Sequence, residues 1–281
     1  MLLNARLVDR LRFACLFRGA STDAAVAALR PYQNADGGFG HALEPDGRTP
    51  FSQPLTTALA FDILDELGRF DHDMVLPACG YLDSISRRDG GVPFVHPSIR
   101  PHPRAPWWQP DDGPEGSLLP TAQLVGLLHK HGFDHPWVDR ATEFCWQRAD
   151  ALNETHGYEA RALVCFLDHV PDRSRAERVA ELLGRLVVDQ ALVALEVTQP
   201  GEVHTPLDFA PSPGSVARRW FDDRTIDAHL DALVDEQQPD GGWTFNWQTW
   251  TPITAFEWRG EVTVRQLARL GRFGRLPLTD H

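Results

Sequence analysis

Apolar residues recur at helical spacing through most of this chain. Residues 4–18, 22–34, 53–67, 73–85, 118–131, 136–149, 158–169, 173–188, 214–221, 223–237 and 253–271 each read as a helix, about eleven in all, and no strand pattern competes with them. The helices are of two kinds. In 22–34 the apolar residues Ala25, Val26, Leu29 and Tyr32 share one face, with Asp23 near the start. In 173–188 the stripe is Val179, Leu182, Leu183 and Leu186, while Arg173, Arg175, Glu177, Arg178, Glu181 and Arg185 face away, as on a helix with one side in water. The run QPLTTALAFDILDEL at 53–67 differs: it opens with Pro54 near its start and is apolar around most of its circumference, so it needs neighbours on several sides. Helices of these kinds alternate, which predicts an all-α fold of inner and outer helices arranged as two concentric rings.

Between the helices a short pattern returns. QNADGGFG at 33–40, RDGGVPF at 88–94 and QQPDGGWTFNW at 237–247 share an Asp-Gly-Gly-apolar core that ends one helical pattern and precedes another. Glycine there can take the left-handed conformation that closes a helix end, and Phe39 or Trp243 can pin the turn against its neighbour. Asp36, Asp89 and Asp240 are 53 and 151 residues apart, the second spacing close to three times the first. A repeat of roughly 50 residues, with two copies decayed, accounts for this. Two passages break the pattern. Residues 94–117 hold six prolines with Trp107 and Trp108, and residues 190–215 hold HTPLDFAPSPG. Long irregular segments in a compact domain are often functional.

Composition adds limits. With 42% hydrophobic and 23% charged residues, 281 residues can form one globular domain over 1–281. The net charge of −12 without a Lys/Arg cluster argues against nucleic acid as partner, and an anionic substrate would need a local basic patch. Arg6, Asp9, Arg10 and Arg12 interrupt the apolar N-terminus, so neither a signal peptide nor a transmembrane segment is expected there, and the expected location is cytoplasmic. Cys15, Cys79, Cys145 and Cys165 lie inside apolar helical patterns and read as small buried hydrophobes.

The Gln-x-x-x-Gly-Gly-aromatic cores at Gln33–Phe39 and Gln237–Trp243 resemble the repeats of the terpene cyclase and protein prenyltransferase superfamily, with a partial match at Asp89–Val92. FGHALEPD at 39–46, TPLDFAPSP at 205–213 and FEWRG at 256–260 are similar to a group of small bacterial proteins labelled prenyltransferase or squalene cyclase-like. The resemblance spans nearly the whole chain and implies an (α/α)6 toroid, although a fold does not fix a function. Cyclases of that kind carry an Asp-x-Asp-Asp-Thr-Ala acid motif. The comparable Thr57-Ala58, Thr121-Ala122 and Thr254-Ala255 steps follow QPLT, SLLP and WTPI, with no carboxylate. Asp111-Asp112 in WQPDDG is the nearest look-alike. No Asp-x-Cys pair suggests zinc, His129, His131 and His135 read as a solvated turn, and magnesium-binding Asp-rich motifs are missing, so no metal and no cofactor is expected.

What remains are acids and aromatics that a closed ring could gather. Glu44 and Asp46 follow the first glycine turn beside His41 and Arg48; Glu159 opens a helix; Asp208 lies near His204; Glu257 sits among Phe256, Trp258 and Arg259. These five carboxylates are the candidate catalytic groups. Trp107, Trp108, Trp247, Trp250, Trp258, Arg259, His41 and His204 are candidate substrate contacts. Acids for proton transfer and aromatic faces for stacking or cation stabilisation suit a carbocation pocket or a sugar site. The resemblance implies an enzyme acting on an isoprenoid or other hydrophobic small molecule by acid–base catalysis without the standard acid. A non-catalytic toroid that binds a hydrophobic ligand or a protein, and a carbohydrate-active toroid, remain open beside it.

Overall fold

The computed structural model describes residues 4–110, 112–197 and 202–278, leaving Asp111 of the WQPDDG look-alike outside the described residues. Among the described residues there are eleven α-helices and no strand, only three isolated bridges. In order they are α1 (Leu7–Arg18), α2 (Thr22–Leu29), α3 (Pro54–Glu66), α4 (His72–Ile85), α5 (Leu118–Lys130), α6 (Pro136–Asp150), α7 (Gly157–His169), α8 (Arg173–Asp189), α9 (Pro206–Phe209), α10 (Asp223–Asp235) and α11 (Pro252–Arg272). Most predicted bounds hold to within a residue or two. The segment expected as a helix at 214–221 is instead a 3-10 turn over Val216–Trp220, and the one-turn α9 lies in a passage read as irregular.

Two layers carry the core. α3, α5 and α7 lie side by side; α4 packs on α3 and α6, α6 on α5 and α7, and α8 on α7. Phe61, Phe144, Trp137, Phe166 and Leu163 fill the space between with no exposed surface to speak of. The opposite faces of α3 and α7 are less fully covered: Leu55, Leu59, Asp62 and Glu66 on the first, and Tyr158, Arg161, Cys165 and His169 on the second. These residues fall at steps of three and four, so each set is one helix stripe. At the other end, α1 packs against α11. Arg12 of α1 also donates to both oxygens of Glu66 on α3, at 2.8 and 3.0 Å.

The three glycine turns share one geometry. Gly37, Gly90 and Gly241 have φ of 89°, 94° and 82°, and the Asp before each accepts the N–H of the second glycine, at 2.9, 3.1 and 3.2 Å. The apolar residue that follows donates its N–H to a threonine on the next α-helix: Phe39 to Thr57, Val92 to Thr121 and Trp243 to Thr263. Each threonine hydroxyl in turn donates to the carbonyl four residues back. The third repeat therefore uses Thr263 where Thr254-Ala255 was the expected equivalent. Thr254 instead sits in the first turn of α11, where the Thr251 side chain caps its N–H. None of the four cysteines is in a disulfide; Cys15, Cys79 and Cys145 are buried, and burial pushes the Cys79 thiol up to about 12. Among the described residues no helix is long and apolar enough to cross a membrane.

Candidate functional site

The loop after the first glycine turn is held by the proline-rich loop. Ala105 N–H donates to the Asp46 carbonyl at 2.8 Å, and Arg48 N–H to the Pro103 carbonyl at 3.0 Å, a short antiparallel bridge around Gly47. The proline-rich segment has its own small core of Val95, Ile99, Ala105 and Trp108, packed by Leu55, Phe94 and Trp250. Trp108, 2% exposed, is therefore part of that core, and it presses on Gly47 where no Cβ would fit. Its neighbour Trp107 is 42% exposed and turns the other way.

That pairing aims three indoles at one carboxylate. Trp107 Nε1 donates to Asp46 Oδ2 at 2.9 Å, and Trp258 Nε1, from α11, donates to Oδ1 at 3.2 Å. Trp250 Nε1 is buried beside the same group without completing a hydrogen bond. Asp46 is 5% exposed. Burial raises its pKa, and the N–H groups of Trp258, Trp107 and Trp250 oppose that rise by favouring the ionised form. Glu44 stands next to it. Its Oε2 accepts the N–H of Asp46 at 2.7 Å and of Gly47 at 3.3 Å. Burial, then the charge of Asp46, pushes the Glu44 carboxyl well above the usual range. Two carboxyls coupled in this way titrate as a pair.

Around the pair lie further predicted residues. Trp247 meets Trp258 edge-on at 5.5 Å and stacks on Phe245 at 4.6 Å. Glu257 bonds Arg48 at 2.6 Å. An open depression of about 240 Å³ is lined by His41, Ala42, Arg48, Thr49 and Pro50. His41 itself bonds Asn34 at 2.9 Å.

The remaining predicted residues are engaged elsewhere. Asp208 closes a capping box with Thr205 and pairs with Arg269 at 2.9 Å. Burial alone would raise its pKa, but Arg269 and then Arg161 outweigh that and hold it well below the usual carboxylate range. It is a fixed anion, unsuited to donating a proton. His204 packs edge-on against Tyr158 at 4.6 Å, and burial followed by Arg161 lowers it to about 4. Glu159 accepts from Thr155 at 3.0 Å in the first turn of α7. Arg259 pairs with Asp240 of the third glycine turn at 2.6 Å. Of the histidine cluster, His129 bonds Thr142, His131 bonds Asp65 while stacking on Phe70, and His135 caps α6.

One titratable group escaped the sequence reading. Asp62 of α3 faces α5, where Gln123 Nε2 donates to it at 2.6 Å, and burial raises it to about 7. The only signal was a carboxylate in the middle of a largely apolar helical run. No protein-family model and no curated protein matches the chain.

Proposed function

We propose that this chain is an (α/α)6 toroid and an enzyme, a terpene cyclase-like catalyst that acts on an isoprenoid or another hydrophobic small molecule through Glu44 and Asp46. The observation that carries the reading is the carboxyl pair itself: both groups are held above their ordinary range by burial, beside indoles that orient one of them. For the toroid, the order of neighbours gives support. α1 meets α3 through Arg12 and Glu66; α3 packs on α5, α5 on α7 and α7 on α9; α9 meets α11 through Asp208 and Arg269; and α11 packs on α1, where the series began.

In this reading Glu44 is the acid. Its Oε2 is occupied by two backbone N–H donors, and Oε1 carries the proton. Transfer breaks that O–H bond, and the π electrons of a substrate double bond form the new C–H bond, leaving a carbocation and the Glu44 carboxylate. Indole faces of Trp107, Trp247 and Trp258 stabilise the cation. Asp46, ionised and oriented by N–H donors, takes a proton from the carbon next to the cation, and the double bond re-forms. Exchange between the neighbouring carboxyls resets the pair.

A carbohydrate substrate is the second reading. It is favoured by the polar groups at Asp62, which Gln123 bonds and whose charge Arg265 attends; they suit hydroxyl groups better than a long polyprene. A thermal-shift screen separates the two, using prenyl diphosphates with and without magnesium, neutral polyprenes and oligosaccharides. A rise with isoprenoids alone is expected. A rise with oligosaccharides alone moves the proposal to the second reading, and no rise with any of them counts against an enzyme of either class.

A further inference from the structure

Arginines of α7 and α11 gather around Asp208: Arg269 pairs with it, and Arg161 and Arg265 lie near enough for their charges to act on it. Arg161 follows Tyr158 by one turn, and its guanidinium lies 5.7 Å from the centre of that ring. Among the described residues Arg161 makes no hydrogen bond and no ion pair. Arg265 meets one carboxylate, Glu261, whose Oε2 is 3.6 Å away and outside hydrogen-bond distance. Its guanidinium is 5.9 Å from the centre of the Trp247 ring. Glu261 is 3% exposed, and that same Oε2 has no hydrogen-bond donor.

Arg269 completes the group, but its donors are used, on Asp208 at 2.9 Å and Gln266 at 3.0 Å. The three guanidinium groups feel one another. Burial lowers the pKa of Arg269, and although Asp208 opposes this, Arg265 and Arg161 add to it. The acids near these arginines are Asp208, Glu261, Asp62, which feels the charge of Arg265, and Glu202, which accepts from Tyr158 Oη at 2.7 Å. Asp208 is committed to Arg269 and Glu202 to the tyrosine. Two guanidinium groups thus keep planar N–H donors unfilled in a partly desolvated space, inside a chain of net charge −12. Such donors match an oxyanion in both charge and geometry.

We propose that Arg161 and Arg265 bind an oxyanion, the carboxylate or phosphate of a small organic molecule, between α7 and α11, with Tyr158 and Trp247 as its walls. The site does not rest on the Glu44–Asp46 reading. It lies close to that pair all the same, because Trp247 touches Trp258, whose N–H is on Asp46. A ligand anchored at Arg265 is one indole away from the carboxyls.

Calorimetric titration of the full chain with sodium phosphate and, separately, sodium succinate at constant ionic strength tests this. Saturable one-to-one binding of at least one probe is expected, with phosphate alone or succinate alone naming the preferred group. Arg161→Gln and Arg265→Gln should each weaken it by at least about tenfold. Arg185→Gln, on the exposed face of α8, should leave it unchanged. Arg161→Lys, which keeps the charge near Asp208 and so protects the fold, should weaken binding by a smaller factor. No saturable heat with either probe, or equal affinity in Arg161→Gln and Arg161→Lys and the parent, overturns the proposal. Glu44→Gln should titrate like the parent, so failure of the acid–base reading leaves this result standing.

Discussion

Asp62 is held near neutrality by its surroundings, and this has a cost. Between about pH 4 and the folded value of about 7, the unfolded chain releases the Asp62 proton while the folded chain keeps it. Stability contributed by the residue therefore falls as pH rises through that window and levels off above it. Asp62→Asn keeps a carbonyl for Gln123 and removes the penalty. It should stabilise the protein by about 2 kcal/mol at pH 8, after allowance for solvent screening, and by almost nothing near pH 4. Denaturant titrations at the two pH values check this; an equal gain at both would contradict it. Asp208 behaves oppositely. Its stabilisation is present above the ordinary carboxylate range and is lost as pH falls through its depressed folded value. Asp208→Asn leaves Arg269 buried without its partner and should cost about 3–5 kcal/mol at pH 7. A loss below about 1 kcal/mol would mean that the pair is not structural. The sequence reading singled out Asp208 and passed over Asp62. Asp208 stood out because it lies in an irregular stretch, whereas Asp62 was hidden in a regular one. What separates them is the arginine 61 residues further on, and no local pattern encodes that distance.

At the scale of elements the turns and helices were legible because their causes are local. Pro54, Pro136, Pro206 and Pro252 each start a helix, and Asp-Gly-Gly closes three turns by the same side-chain acceptor. The partner of each turn was not local, which is why Thr254 was matched by its following alanine when Thr263 occupies the position. Thr57→Val removes the acceptor of the buried Phe39 N–H and should cost about 1–3 kcal/mol. Thr263→Val should cost a similar amount through Trp243. A neutral Thr263→Val beside a damaging Thr57→Val would show that the third turn is not a true copy. The first glycines differ in another respect. A Cβ on Gly37 would meet the Pro77 carbonyl of α4, and one on Gly90 the Arg140 carbonyl of α6, 2.6 Å away, whereas Gly241 faces open space. Alanine at 37 or 90 should therefore destabilise more than alanine at 241, where only the positive φ is strained. Melting temperatures of the three variants give the order.

For the whole molecule, α1 and α11 join the two ends of the chain, and the Arg12–Glu66 and Arg269–Asp208 pairs span the helices beside them. A chain so connected should melt as a single domain, in one calorimetric transition with equal calorimetric and van't Hoff enthalpies; two transitions would divide it. The candidate site was only partly legible at this scale. Glu44, Asp46, Trp107, Trp250 and Trp258 were each singled out, but their convergence depends on the bridge between 46–48 and 103–105, made by backbone groups that carry no sequence signal. The claim on which the functional account turns is that Glu44 keeps its proton well above the ordinary glutamate range while Asp46 beside it can ionise. Carbon-detected NMR titration of the Glu44 and Asp46 carboxyls, assigned with Glu44→Gln and Asp46→Asn, measures this without a substrate. A Glu44 midpoint clearly above that of a free glutamate, falling when Asp46 is replaced by Asn, is expected. A Glu44 carboxyl that titrates like a free glutamate, and is indifferent to Asp46, would contradict it.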